Sequence, residues 1–366
     1  MHSAVISLLL SLVATLLLLQ CGGRLFKVRA TPADRARGLQ PTSLPVGGIA
    51  ILAGLCAGGL TLLAKAPLAT QFCWLALSAL LPLFVAGAAD DFWLRPSLLR
   101  RACVTGAVCA VALMFFDAPA DHGLLHLGAA TLFVVAVTHS LTAVDSRNGA
   151  AAMCSLLIHA ALAYVAYSVG DTSIMLAAWI FIGALVGVSF FSFQTDLARL
   201  GYSGCALAGF STAALAVCLT LRNAEISVLF AVLLCSHSMI EAASAWKRNG
   251  LAGLDSVDNR VPSMLFHRLV RWATGNPPDR RRPERDTSVM PHMWMLIVAS
   301  ITPALIWWKH TAALLAALVF RLALHWAVNR LLQPPHATAP AVEMPPDPAF
   351  FLASARPASR AESGTQ

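Results

Sequence analysis

Polar residues break this chain at long intervals, and between them run apolar blocks of about 15 to 21 residues. An α-helix rises 1.5 Å per residue, so about 20 apolar residues cross the ~30 Å hydrocarbon core of a bilayer. Eleven blocks come close to that length: 3–21, 44–64, 71–89, 102–116, 124–144, 149–168, 174–193, 205–221, 226–246, 293–308 and 311–328. The pattern predicts an all-α, polytopic integral membrane protein with about eleven transmembrane helices.

Composition agrees. Of 366 residues, 58% are hydrophobic and 12% charged, where soluble domains carry about 25% charged residues. Mean hydropathy is +0.70. The first block lacks a basic stretch ahead of it and is long enough to span, so it reads as a retained helix with its N-terminus outside. With that start, 22 of the 26 Lys and Arg fall in 22–43, 90–101, 145–148, 194–204, 247–292 and the tail from 329. Only Lys65, Arg222 and Lys309 fall in the other connections. Basic loops stay on the cytoplasmic side, so those six segments and the C-terminus are expected there. The net charge of +8 is then loop charge, and nucleic acid is not an expected partner.

Residues 1–330 read as one membrane domain, and 331–366, rich in Pro, Ala and Ser, as a disordered cytoplasmic tail. Within 247–292, "SMLFHRLVRW" has the spacing of a short helix lying at headgroup level, and "RRRPER" (280–285) suits anionic lipid headgroups or simple retention inside. The nine cysteines show no CxxC spacing and read as small core residues. Trp246, Trp294, Trp307 and Trp308 fall at block ends, as interfacial anchors do.

The outer connections are short, so chemistry is expected on the cytoplasmic face. Asp34, Asp90, Asp91, Asp145, Asp196, Asp255 and Asp258 lie on that side, mostly beside basic residues. Carboxylates can hold Mg²⁺ against a phosphate while Arg and Lys neutralise the remaining charge. A lone loop Asp is usually only solvated. Adjacent Asp90 and Asp91 at the exit of a span are harder to explain so, because like charges side by side repel unless cations compensate.

Three segments resemble the polyprenyl-phosphate N-acetylhexosamine-1-phosphate transferases (glycosyltransferase family 4), which include the undecaprenyl-phosphate GlcNAc-1-phosphate transferases and the phospho-MurNAc-pentapeptide translocases. "PTSLPVGGIAILAG" (41–54) is similar to the family's Pro-Thr-x-x-Gly-Gly-Ile-Ala-Ile opening of the second span, with two extra residues before the Gly pair. "GAADDFWLRPSLLRR" (87–101) is similar to its Asp-Asp motif and following basic residue, here Arg100. "THSLTAVDSRNGAAA" (138–152) resembles its Asn- and Asp-rich segment, with Asp145 at the first Asp. The resemblance implies transfer of a sugar-1-phosphate from a UDP-N-acetylhexosamine to a polyprenyl phosphate at a bacterial inner membrane, for cell-wall or surface-polysaccharide synthesis, with Mg²⁺ or Mn²⁺ as cofactor. It assigns catalysis to Asp90, Asp91, Asp145 and His267, substrate binding to Arg100, Arg268, Asp196 and Asn148, and metal binding to Asp91 and Asp145. It leaves a homodimer open.

The chain also departs from the family pattern. In "RLGYSGCALAGF" (199–210) Tyr202 stands where the family carries an Asp. His139 and Thr142 replace two Asn, Asn148 replaces the second Asp, Val46 replaces an Arg, and only His267 remains of a His-rich loop motif. A catalytically impaired member that binds lipid or nucleotide is therefore an alternative. A transporter is a further one, with ionisable residues inside spans: His159, the pair His237 and Glu241, and the pair Arg321 and His325, each pair four apart on one helical face.

Overall fold

The computed structural model describes residues 2–25, 44–65, 71–92, 98–115, 124–145, 149–192, 198–255 and 290–331. Eleven helices fill them: α1 (His2–Leu25), α2 (Gly47–Lys65), α3 (Gln71–Phe92), α4 (Leu98–Phe115), α5 (Leu124–Val144), α6 (Ala150–Ser168), α7 (Thr172–Ser192), α8 (Gly201–Arg222), α9 (Val228–Asp255), α10 (Met290–Trp307) and α11 (Thr311–Leu331). Each predicted block corresponds in order to one helix. Among the described residues there is no strand, only an isolated parallel bridge between Leu44 and Ala198. Seven helices (α1, α2, α5, α6, α7, α8 and α11) are long and apolar enough to cross a membrane. Such helices suit lipid because every backbone N–H and C=O is satisfied inside the segment. The expected interfacial helix and disordered tail lie outside the described residues.

Helix α8 runs through the middle, buried along most of its length and packed by α2, α3, α5, α6 and α9. Its 22 residues carry it about 33 Å, so its two ends define the two ends of the bundle. At its C-terminal end short turns are tied by ions: Asp171 pairs with Arg222 at 3.3 Å, and Glu225 with Lys309 at 2.8 Å. Gly170, at φ +77°, closes α6 in the left-handed conformation that glycine tolerates, and Asp171 Oδ1 then accepts the Ile174 amide to start α7. Arg222 and Lys309 are thus neutralised locally.

Helix α1 reverses the soluble pattern. Ser3, Ser7, Ser11 and Thr15, spaced by four, are buried, while Val5, Leu9, Val13 and Leu17 are exposed. Ser7 Oγ donates to Ile180 O at 2.9 Å and Ser11 Oγ to Ala184 O at 2.7 Å, both on α7. Such a seam fits lipid, where association depends on small residues, close backbones and polar contacts. Gly183 and Gly187 permit the approach: a Cβ on Gly187 would lie 2.8 Å from the Leu12 amide nitrogen. Gly187→Val should therefore force α1 off α7 and destabilise by about 1–3 kcal/mol, whereas Ser11→Ala, losing one interhelical bond, should cost about 0.6 kcal/mol. Thermal unfolding in detergent checks the order; an equal loss for the two would contradict this account of the seam.

Candidate functional site

The N-terminal end of α8 gathers four separated segments. Leu44 O accepts the Arg199 amide at 3.1 Å, and the Gly47 amide donates to Arg199 O at 3.0 Å, so the entry of α2 lies against the entry of α8. A Cβ on Gly47 would stand 2.7 Å from Leu200 Cα, and one on Gly87 of α3 would stand 2.5 Å from Ser203 Cα. Glycine is needed here for backbone proximity.

Asp90 and Asp91, neighbours in sequence, have different partners. The Asp91 carboxylate faces the start of α8: Oδ1 accepts the Tyr202 amide at 2.8 Å, while Oδ2 accepts the Ser203 amide at 3.0 Å and the Ser203 hydroxyl at 2.7 Å. Unsatisfied amides and the positive end of the helix dipole make this a favourable place for a carboxylate. Gly201, at φ +69°, leaves the room, since a Cβ there would lie 2.9 Å from both Asp91 oxygens. Asp90 instead forms an ion pair with Arg101 Nε at 2.7 Å, the two side chains being only 4% and 9% exposed. The Arg101 guanidinium lies 4.3 Å from the centroid of the Tyr202 ring.

Asp145, just beyond α5, accepts the Gly201 amide through Oδ2 at 3.2 Å, and its Oδ1 is buried with no hydrogen-bond partner. Burial drives its carboxyl up from the ordinary 3.8 to about 7, with Arg199 opposing the rise and Asp91 adding to it. The unfolded chain would lose this proton near pH 4, so folding retains it. The stabilisation from that proton is full below about pH 4 and is lost as pH rises through about 7. Melting temperature should fall between those values in the wild-type protein and run flatter in Asp145→Asn; parallel slopes would refute the assignment.

Beside these residues lies a cavity of about 90 Å³ between α3, α4, α5 and α8. Asp90, Arg100, Arg101, Thr105, His139 and Tyr202 edge it, and Leu83, Ala86, Val104 and Ala206 form an apolar wall. Thr105 Oγ1 lies 3.2 Å from His139 Nε2, which fixes the ring. Compared with models of known protein families and with curated proteins, the chain matches none.

Of the residues proposed from sequence, Asp90, Asp91, Asp145 and Arg100 meet around the α8 entry; Asp196, Asn148, His267 and Arg268 lie outside the described residues. Arg101, Arg199 and Ser203 were missed as site residues. The signal for Arg101 was its place beside Arg100, and for Arg199 its place beside the segment holding Tyr202.

A magnesium ion takes hard oxygen ligands in near-octahedral order, usually one or two carboxylates with phosphate and water. Asp91 has both oxygens turned to α8, Asp90 faces a guanidinium, and Asp145 sits within electrostatic reach of Arg199. Among the described residues no three His, Cys, Asp or Glu come together to hold a metal. Among the described residues the set offers a divalent cation the open Asp145 Oδ1 but no cluster of ligands around it.

The mid-span residues form a separate cluster. Arg321, 2% exposed, donates through Nε to Ser300 Oγ at 2.9 Å and through Nη2 to His237 Nδ1 at 3.0 Å. Glu241 is buried within electrostatic reach of Arg321, and His325 Nε2 lies 3.2 Å from Ser244 Oγ. His159 is a packing residue: Nδ1 donates to Ser155 O at 2.7 Å, Nε2 lies 3.1 Å from Ser211 Oγ, and the ring stacks on Phe181.

Proposed function

We propose that the chain is an eleven-span protein of a bacterial inner membrane, N-terminus outside and C-terminus cytoplasmic. In this reading it transfers a sugar-1-phosphate from a UDP-N-acetylhexosamine to a polyprenyl phosphate. The observation that supports it most is the convergence at the α8 entry of the four segments compared with the transferase family, 41–54, 87–101, 138–152 and 199–210. Basic loops put that end in the cytoplasm, where nucleotide sugars are met. An oxygen of the acceptor phosphate attacks the sugar-bearing phosphorus; one phosphorus–oxygen bond forms, one breaks, and UMP leaves. Arg100 and Arg101 screen the repulsion between the two phosphates, and the apolar wall receives the start of the isoprenoid chain.

Membranes holding the protein, given radiolabelled UDP-N-acetylhexosamine and undecaprenyl phosphate, should yield lipid-extractable label. Absence of transfer from every common UDP-N-acetylhexosamine, with or without Mg²⁺ or Mn²⁺, overturns the catalytic reading. Two details favour a second reading, a member that binds without turning over: Asp91 is occupied by the α8 amides, and Tyr202 holds Arg101 where the family carries a carboxylate. If Tyr202→Asp transfers label and the parent does not, that second reading stands; an active parent that dies in Asp90→Asn, with its melting unchanged, removes it.

A further inference from the structure

We propose that the pocket beside Tyr202 grips a phosphate monoester with arginine and needs no divalent cation to do so. The inference rests on the reading above for the ligand class, and it concerns what replaces the metal. Three observations carry it.

The first is that positive charge already occupies the places a cation would take. The Arg101 guanidinium lies against Asp90 at 2.7 Å and over Tyr202 at 4.3 Å, and Arg100 lines the same cavity. Counting the ionic side chains that edge the cavity, two arginines face one carboxylate, a balance that attracts an anion and repels Mg²⁺. A guanidinium also presents five N–H donors in a planar fork that matches phosphate oxygens.

The second is that Asp91, the other half of the acidic pair, is already engaged. Both Asp91 oxygens accept from the first amides of α8, and withdrawing them toward a metal would expose the Tyr202 and Ser203 donors. Tyr202 belongs to the same device. As a positioning residue it stacks under Arg101 and so holds the fork at the cavity edge.

The third is shape. The cavity of about 90 Å³ is several times the ~10–15 Å³ that one water needs, and its polar edge faces an apolar wall. Val104 in that wall is 40% exposed on α4, so the wall opens outward from the bundle. A charged head at the arginines with a chain leaving past Val104 is the amphiphile this shape admits.

The test uses full-length protein in phosphatidylcholine nanodiscs, with radiolabelled undecaprenyl phosphate as the lipid probe and UMP as the soluble one. Each is titrated in EDTA and in Mg²⁺. Affinity for the lipid phosphate should agree within about threefold in the two conditions, and Arg101→Gln should weaken it by about tenfold or more, the loss of one charge-assisted contact. Tyr202→Ala should weaken it several-fold, and Tyr202→Phe, which keeps the ring but not the hydroxyl's bond to Arg101, should recover most of that loss, at unchanged melting temperature. Arg100→Gln, at an exposed side chain, supplies a second variant if Arg101→Gln does not fold. Metal-independent binding of UMP in place of the lipid keeps the arginine grip and assigns it to a nucleotide. Binding lost in EDTA, binding of neither probe, or wild-type affinity in both arginine variants overturns the proposal. Transfer measured on the same samples separates the two readings: EDTA-resistant binding without transfer removes catalysis and leaves the grip, while metal-dependent binding with transfer does the reverse.

Discussion

Asp91→Ala should unfold the junction of α3 with α8 and lower stability by about 3–5 kcal/mol, because each donor left unsatisfied costs about 1–3 kcal/mol. Three donors lose their acceptor at once: the amides of Tyr202 and Ser203 and the Ser203 hydroxyl. No water-filled loop replaces it, because Gly87, Gly48 and Gly201 bring backbone and side chains to contact distance around the carboxylate. Asp91→Asn should cost much less, since its carbonyl oxygen still accepts at one of the two positions. Thermal unfolding in detergent, with amide exchange at 202 and 203, measures both. If Asp91→Ala melts as the wild type does, the carboxylate is not the cap of α8. For activity measurements the consequence is practical: a dead Asp91→Ala protein says nothing about chemistry, and Asp91→Asn with intact melting is the informative variant.

The second large effect is expected far from that site. Arg321→Ala should destabilise by about 3–5 kcal/mol, because it leaves the buried Glu241 carboxylate without its cation and the Ser300 and His237 acceptors without their donor. Combining it with Glu241→Gln should recover part of the loss, since neither charge is then left alone; a double-mutant cycle reads the coupling. Simple additivity would show that Arg321 and Glu241 do not interact. The helix carrying Arg321 exposes Leu315, Val319, Phe320 and Trp326 outward, so the arginine's inward turn is what lets a lipid-facing helix carry a full charge.

The order of the helices could be read directly from the chain, seven of them among the described residues being long and apolar enough to cross a membrane. In lipid, length and apolarity alone decide where a helix forms, so the eleven apolar runs emerged in order, and the i, i+4 pairs at 237/241 and 321/325 fell on facing surfaces. The site was legible only in part, for a geometric reason. Asp90 and Asp91 are one residue apart, which on a helix turns their side chains about 100° from each other. One therefore meets Arg101 and the other meets α8, a division that sequence adjacency hides. Arg100 and Arg101 pose the same problem: both line the cavity, but only Arg101 stacks on Tyr202. Tyr202 looked like a lost ligand by substitution, and its role under a guanidinium depends on a partner 101 positions earlier. The polar stripe on α1 was equally hidden, because serines in an apolar run are weak evidence until their partner helix is known.

That stripe bears on how the protein is made. Helix α1 carries hydroxyls whose acceptors on α7 lie 173 residues downstream, so it leaves the ribosome well before them. At about 5–20 residues per second, α1 waits roughly 9–35 s before its final neighbour exists. During that interval α1 can pack on α2, where Gly54 and Gly58 approach its Ser7 and Ser3 backbone, but its serines lack their α7 acceptors, so the polar seam closes late. A newborn chain halted before Ile180 should therefore hold α1 loosely enough for insertion chaperones or proteases to reach it, and release past α7 should end that exposure.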